Sequence, residues 1–110
     1  MVKEKKMVKE KKSAAVKYLE KLRGGPLTFG ALLRSIRESD EHTLEGLAKR
    51  FGVSRSHLCD IEKGRRGVSA ERAARWARIL GYPEALFVKL AIQAELDAAG
   101  IKLKIDVKAA

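Results

Sequence analysis

The sequence predicts an all-α fold built from five short amphipathic helices. Between residues 28 and 99, apolar side chains recur at intervals of three and four, which is the spacing of one face of an α-helix. Each predicted helix follows a residue that favours a helix N terminus, and glycine follows four of the five. The 110 residues suffice for one domain with a tail, and a 45% hydrophobic content supplies its core.

The first two helices are predicted from Thr28 to near Glu38 and over residues 43–51. Thr28 and Thr43 are suitable N-caps because their hydroxyl oxygens can accept a hydrogen bond from a free backbone N–H. The first helix presents one apolar face at i, i+3, i+4 and i+7, made of Phe29, Leu32, Leu33 and Ile36. Gly52 supplies the left-handed residue that ends the second helix.

The third and fourth helices are predicted to begin after Ser54 and Ser69 and to end at Gly64 and Gly81. The fourth helix buries an apolar stripe of Ala73, Trp76, Ala77 and Leu80. Aromatic residues at helical spacing usually belong to a core, so Trp76 is interpreted as a core residue.

A fifth helix is predicted from Pro83 to about Ala99, and a short strand follows it. Pro83 suits a first helical turn, and Gly100 ends the helix. Ile101, Leu103, Ile105 and Val107 then alternate with Lys102, Lys104 and Asp106, which is the period of a half-buried strand.

A single strand needs a partner for its backbone. The simplest partner is the same strand of a second copy related by a twofold axis, so we predict a homodimer through residues 83–110. The alternative is a strand that lies on its own helices or pairs with residues 13–23.

Residues 1–25 are predicted to form a basic tail that contains a possible short helix beginning at Ser13. The first twelve residues consist of two copies of MVKEKK, and residues 1–23 carry +6 of the formal net charge of +10. This tail is either simply solvated or makes non-specific contacts with DNA or a partner.

The composition also excludes several classes of protein. No apolar run approaches the roughly 20 residues that span a bilayer, and no apolar stretch follows the Lys-rich N terminus. We therefore expect a cytoplasmic protein without a membrane partner. One cysteine and two histidines provide neither a disulfide nor a metal cluster, and no set of catalytic residues is evident. We expect no enzyme activity and no cofactor, and the positive charge favours nucleic acid as the partner.

Two short helices joined by a tight turn at Gly52 have the layout of a helix-turn-helix. The run TLEGLAKRFGVSRSHLCDIEKGRR resembles the phage repressor and Cro family, also called the XRE family. In that family helix two reads T-x-x-x-L-A-x-x-x-G-V-S and the next helix ends in I-E-x-G. The matching residues are Thr43, Leu47, Ala48, Gly52, Val53, Ser54, Ile61, Glu62 and Gly64.

This resemblance covers about residues 28–82. It implies a five-helix, lambda-repressor-like fold in which residues 26–82 bind DNA and the third helix is the recognition helix. It also implies a partly buried ion pair between Arg37 and Glu62. The chain departs from the family at Leu44, where many members have a glutamine that bonds a phosphate.

Val53, Leu58 and Ile61 are predicted to hold the third helix against the core, which leaves the polar residues of that helix outside. Arg55 is predicted to contact guanine O6 and N7, a pairing worth about 1–3 kcal/mol of discrimination. Asp60 either accepts a hydrogen bond from cytosine N4 or pairs with Arg55 or Lys63. The complete predicted DNA-binding set is Thr43, Ser54, Arg55, Ser56, His57, Cys59, Asp60, Lys63, Arg65 and Arg66.

The residues of this set have different predicted roles. Ser54 places the N terminus of the recognition helix towards a phosphate, and Ser56 is a less discriminating base contact than Arg55. Lys63, Arg65 and Arg66 lie along the phosphate backbone. His57 either touches a phosphate or makes no contact, and Cys59 is interpreted as an exposed small residue and not as a catalytic thiol. Weaker phosphate candidates are Arg34, Lys49 and Arg50.

The resemblance implies a sequence-specific, double-stranded DNA-binding regulator of transcription that acts as a homodimer, with repression as the expected outcome. The alternative is an antitoxin, which would bind a toxin partner and repress its own operon through the same helix-turn-helix.

Overall fold

The computed structural model describes residues 27–108 and 110. The predicted all-α fold is confirmed. The five helices are α1 (Phe29–Ser39), α2 (Leu44–Phe51), α3 (Arg55–Glu62), α4 (Ala70–Leu80) and α5 (Glu84–Ala98). The tail and the helix predicted within residues 1–25 lie outside the described residues.

Short-range signals in the sequence determine where the helices begin and end. The hydroxyl oxygens of Thr28, Thr43, Ser54 and Ser69 each accept a hydrogen bond from the backbone N–H three residues later, at 2.9–3.2 Å. The turns after α2, α3, α4 and α5 each use a glycine with φ between 74° and 77°. Glu41, with φ 57°, takes the corresponding left-handed position after α1. Because these signals act locally, the helix bounds agree closely with the predicted ones.

The core is built around Trp76, which is fully buried as predicted. Its ring stacks on that of Phe51, with centroids 4.1 Å apart and an interplanar angle of 4°. Phe29 lies between Trp76 and Phe87 and meets the Phe87 ring edge-on at 5.7 Å. These aromatic contacts join α1, α2, α4 and α5 in one core.

The core also holds α3 in place. Leu58 and Ile61 are almost completely buried, and Val53 packs against the same cluster. The end of α3 approaches α1 closely at Gly30, where an added Cβ would overlap the carbonyl oxygen of Ile61 and lie 2.7 Å from that of Glu62. This close approach was not predicted from the sequence. The inner side of α3 is therefore fixed, and its outer side is left at the surface.

The strand predicted after α5 is not formed within the described part of the chain. Residues 101–107 lie against α5 instead: the side-chain Nε2 of Gln93 donates to the Leu103 carbonyl at 2.8 Å, and the Ile105 N–H donates to Gln93 Oε1 at 3.0 Å. An alternating pattern indicates an extended chain but does not specify its backbone partner. The contact with α5 agrees with the alternative in which the segment lies on its own helices, and pairing with a second copy remains a prediction.

None of the described helices combines the length and the apolar character required to cross a membrane.

Candidate nucleic-acid interface

The exposed side of α3 carries the polar residues that the sequence predicts there. Arg55 and Ser56 are exposed at its first turn, and Cys59 and Asp60 are partly exposed further along. The Ser54 hydroxyl accepts from the His57 N–H at 3.1 Å, which anchors this N terminus. Within the described part of the chain, Arg55 makes no hydrogen bond or ion pair, so its guanidinium is available to an external acceptor.

The loop after α3 adds three exposed basic residues, Lys63, Arg65 and Arg66. Gly64 turns the chain back with φ 77°, and the Arg65 N–H donates to the Asp60 carbonyl at 2.8 Å. As a result, the Arg65 guanidinium lies 3.7 Å from the Asp60 carboxylate. The predicted pairing of Asp60 with Arg55 or Lys63 is therefore wrong, because the turn at Gly64 brings Arg65 closer.

An ion pair fastens the end of α3 to α1. Arg37 Nε and Nη2 donate to the two carboxylate oxygens of Glu62 at 2.7 and 3.1 Å. The Glu62 side chain is only 5% exposed and that of Arg37 16%. The hydrogen bond to Glu62 raises the pKa of Arg37 above its ordinary value. This pair confirms the one implied by the family resemblance, and its role is to hold α3 in position.

The pKa of His57 reflects both its partial burial and the basic side chains around it. Its pKa is lowered first by partial burial and then by the positive charges of Arg66 and Arg72, while Asp60 acts in the opposite direction. Arg72 belongs to α4, so the basic surface continues from the loop onto that helix. Further along α4, Arg78 forms an ion pair with Glu84 at 2.6 Å.

Replacing Arg66 by glutamine is expected to raise the pKa of His57, because one of the cations that disfavour the imidazolium is removed. The measurement is an NMR titration of the His57 ring protons. Arg34→Gln serves as the control, since Arg34 is not among the charges that act on His57. Equal His57 pKa values in the Arg66 variant and the parent would show that the loop lies elsewhere.

Two further predicted residues, Thr43 and the weaker candidate Arg50, lie at the start and the end of α2. Thr43 is exposed, and its hydroxyl caps α2 by accepting from the Gly46 N–H at 2.9 Å. Leu44 packs against the core, so this corner has no polar side chain in place of the family's glutamine. Arg50, a weaker phosphate candidate, donates to the Ile79 carbonyl at 3.1 Å and thereby ties α2 to the end of α4. That structural role was missed because it depends on packing between helices.

Three features of this region define a helix-turn-helix DNA-binding module. They are a capped α2, a left-handed glycine after it, and an α3 whose inner face is buried and whose outer face is polar. A sequence model of the helix-turn-helix domain family matches residues 28–90. The crystal structure of the clp gene regulator ClgR from Corynebacterium glutamicum is 37% identical, with a TM-score of 0.50; the match covers 66% of this chain and 78% of that chain. No curated protein matches the chain.

The chain therefore belongs to the helix-turn-helix domain family and is an XRE-type DNA-binding protein.

Proposed function

We propose that the protein is a sequence-specific, double-stranded DNA-binding regulator of transcription that represses its targets as a homodimer. The observation that carries the proposal is the position of Arg55. It is exposed at the first turn of α3, a helix that is held on its inner side by Leu58 and Ile61 and at its end by the Arg37–Glu62 pair. The similarity to ClgR, a gene regulator, supports a role in transcription.

Within this proposal, Arg55 reads sequence and the neighbouring cations supply affinity. The planar guanidinium of arginine can donate two hydrogen bonds to O6 and N7 of one guanine in the major groove. Lys63, Arg65 and Arg66 contact phosphates, which orients α3 on the duplex without selecting a sequence. Ser54 and the N terminus of α3 face another phosphate.

A homodimer would present two copies of α3. A twofold axis between the copies places the recognition helices on half-sites about 34 Å apart, or a multiple of that distance, along a pseudo-palindromic operator. Two half-sites also raise the specificity of the complex over that of a single α3. An operator that overlaps a promoter would then be blocked when the dimer binds.

Arg55→Ala is expected to lose preference for the operator while the fold is retained. Sites are first selected from random duplex DNA with the parent protein. The ratio of affinities for the selected site and for a scrambled site is then measured. The logarithm of this ratio gives the free energy of discrimination between the two sites. Removing the bidentate bond to one guanine per α3 should lower that free energy by about 1–3 kcal/mol per half-site. A ratio equal to that of the parent would show that Arg55 does not determine the preference for the operator.

Arg66→Ala is the matched control for that experiment. It removes the same type of side chain from the same surface, but at a predicted phosphate contact. Affinity should fall for the selected and scrambled sites alike, and the slope of log K against log salt should decrease by about one for each phosphate that is no longer neutralised. Loss of the preference itself in this variant would contradict the division between reading and positioning residues.

A further inference from the structure

We infer that the protein dimerises by antiparallel pairing of residues 101–107 with the same segment of a second copy, centred on Lys104. This inference rests on the proposed function for its homodimer, and it specifies the surface, the partner and the register. Three features of the structure support it: a backbone edge left open, a pattern of charges that complements itself, and apolar side chains exposed on the same segment.

The open edge follows from the contact with Gln93. This side-chain amide accepts from the Ile105 N–H and donates to the Leu103 carbonyl, which are the two bonds that a neighbouring parallel strand would make on either side of Lys104. In an extended chain, successive residues direct their N–H and C=O groups to opposite edges. The N–H and C=O groups of Lys102, Lys104 and Asp106 therefore point away from Gln93.

No backbone group of Lys102, Lys104 or Asp106 forms a hydrogen bond within the described part of the chain. All three residues are exposed. A strand edge of this kind is a template for pairing with another strand. An antiparallel partner centred on Lys104 would exchange backbone bonds through these same groups.

The charges favour that register over its neighbours. With the twofold axis at Lys104, each Lys102 faces Asp106 of the second copy, which makes two opposite-charge pairs. The only like-charged pair is Lys104 with its own copy, where long, exposed side chains can separate into solvent. With the axis at Leu103, Lys102 faces Lys104, and Asp106 faces no basic residue of the second copy; its basic neighbour is then Lys89 of its own chain, at 3.9 Å. With the axis at Ile105, Lys104 faces Asp106 in two opposite-charge pairs, but Lys102 also faces Lys108 in two like-charged pairs, one more than with the axis at Lys104.

The apolar side chains agree with the same register. Leu103 faces Ile105 of the second copy, and Ile101 faces Val107, so all four apolar residues of the segment are opposite apolar residues. In the single chain, Ile101 is 43% exposed and Leu103 62% exposed, and they are the large hydrophobic residues exposed in the part of the chain that the structure describes. Cross-strand pairing would cover them.

A disulfide formed across the axis tests the register directly. Lys104→Cys is made in a Cys59→Ser background and oxidised. Directly opposed, hydrogen-bonded residues have Cα atoms about 5.5 Å apart, which is within the range of a disulfide. Lys108→Cys in the same background is the control, because its two copies would lie more than about 25 Å apart. We expect a covalent dimer for the first variant and a monomer for the second on a non-reducing gel.

A charge exchange provides the second measurement, made on the full chain by analytical ultracentrifugation. Lys102→Glu places one carboxylate opposite the Asp106 of each copy, which makes two like-charged pairs and should raise the dimer dissociation constant about tenfold. Asp106→Lys should weaken the dimer similarly, and the double variant should restore it. Lys108→Glu is the control for charge alone and should leave the dimer unchanged. A rescue of this kind is not expected from contacts within one chain.

The outcomes separate this inference from the proposed function. A dimer that neither crosslinks at residue 104 nor shows rescue by the charge exchange overturns the strand pairing but leaves a dimeric regulator. A protein that is monomeric throughout overturns both the pairing and the homodimer, while the Arg55 experiment still decides sequence-specific binding. Crosslinking at residue 108 equal to that at residue 104 also contradicts the register.

Discussion

Arg37→Met is expected to lower the free energy of unfolding by about 3–5 kcal/mol, because it leaves a buried carboxylate without its partner. Glu62 is 5% exposed and receives two hydrogen bonds from Arg37. Methionine keeps most of the apolar stem but supplies no donor. The measurement is equilibrium unfolding in urea followed by circular dichroism. DNA binding should disappear at temperatures where this variant is unfolded.

Two controls separate the effect of burial from the effect of charge. Arg34→Met breaks a pair of the same chemistry on the same helix, but Arg34 and Glu38 are 64% and 57% exposed, so water screens the pair and its loss should cost far less than that of Arg37. The double variant Arg37→Met, Glu62→Met removes both charges and should recover much of the stability. Equal costs for Arg34→Met and Arg37→Met would contradict this account of the buried pair.

Gly30→Ala is expected to destabilise the protein by about 2 kcal/mol, although alanine is the better helix former. Alanine in place of glycine gains about 1 kcal/mol in helix propensity. The new Cβ, however, would overlap the Ile61 carbonyl oxygen and crowd that of Glu62. These neighbours are backbone atoms, so no rotamer change relieves the overlap, and α1 and α3 must move apart.

The matched substitution is Gly46→Ala in α2. There the new Cβ would meet only the Thr43 hydroxyl oxygen at 3.1 Å, and the site is exposed. Stability is expected to stay within about 1 kcal/mol of the parent. Urea midpoints of the two variants and the parent give the comparison. A Gly30→Ala protein as stable as the Gly46→Ala protein would show that the two helices can separate without cost.

These two substitutions act on the position of α3 and not on its DNA-facing side chains. Arg37 and Gly30 both lie on α1 and meet the last residues of α3. Loss of DNA binding in either variant would therefore not identify a DNA contact. Only a variant that keeps its stability and loses preference, as expected for Arg55→Ala, does so.

The sequence predicts the helices well because their signals are local. Thr28, Thr43, Ser54 and Ser69 cap helices by hydrogen bonds that span three residues. Apolar spacing likewise assigns Leu58 and Ile61 to the inner side of α3, so the outer residues of the recognition helix follow by elimination.

Features that depend on packing between distant segments were missed or assigned incorrectly. Asp60 pairs with Arg65 because of the path of the chain at Gly64, which helix spacing does not include. The close approach at Gly30 has one signal in the sequence, a glycine inside the apolar pattern of a helix, and such a glycine often marks tight packing. The backbone partner of residues 101–107 is not specified by alternation; within the chain, Gln93 bonds the Leu103 carbonyl and the Ile105 N–H.

The central claim is that the outer side of α3 and the loop after it form the DNA-binding surface. NMR titration of the isotopically labelled protein with its selected duplex tests this claim most directly. We expect the largest amide shifts at residues 54–60 and 63–66, smaller ones near Thr43 and Arg72, and little change along α5. Shifts concentrated on α5 or within residues 1–25, with α3 unaffected, would contradict the claim.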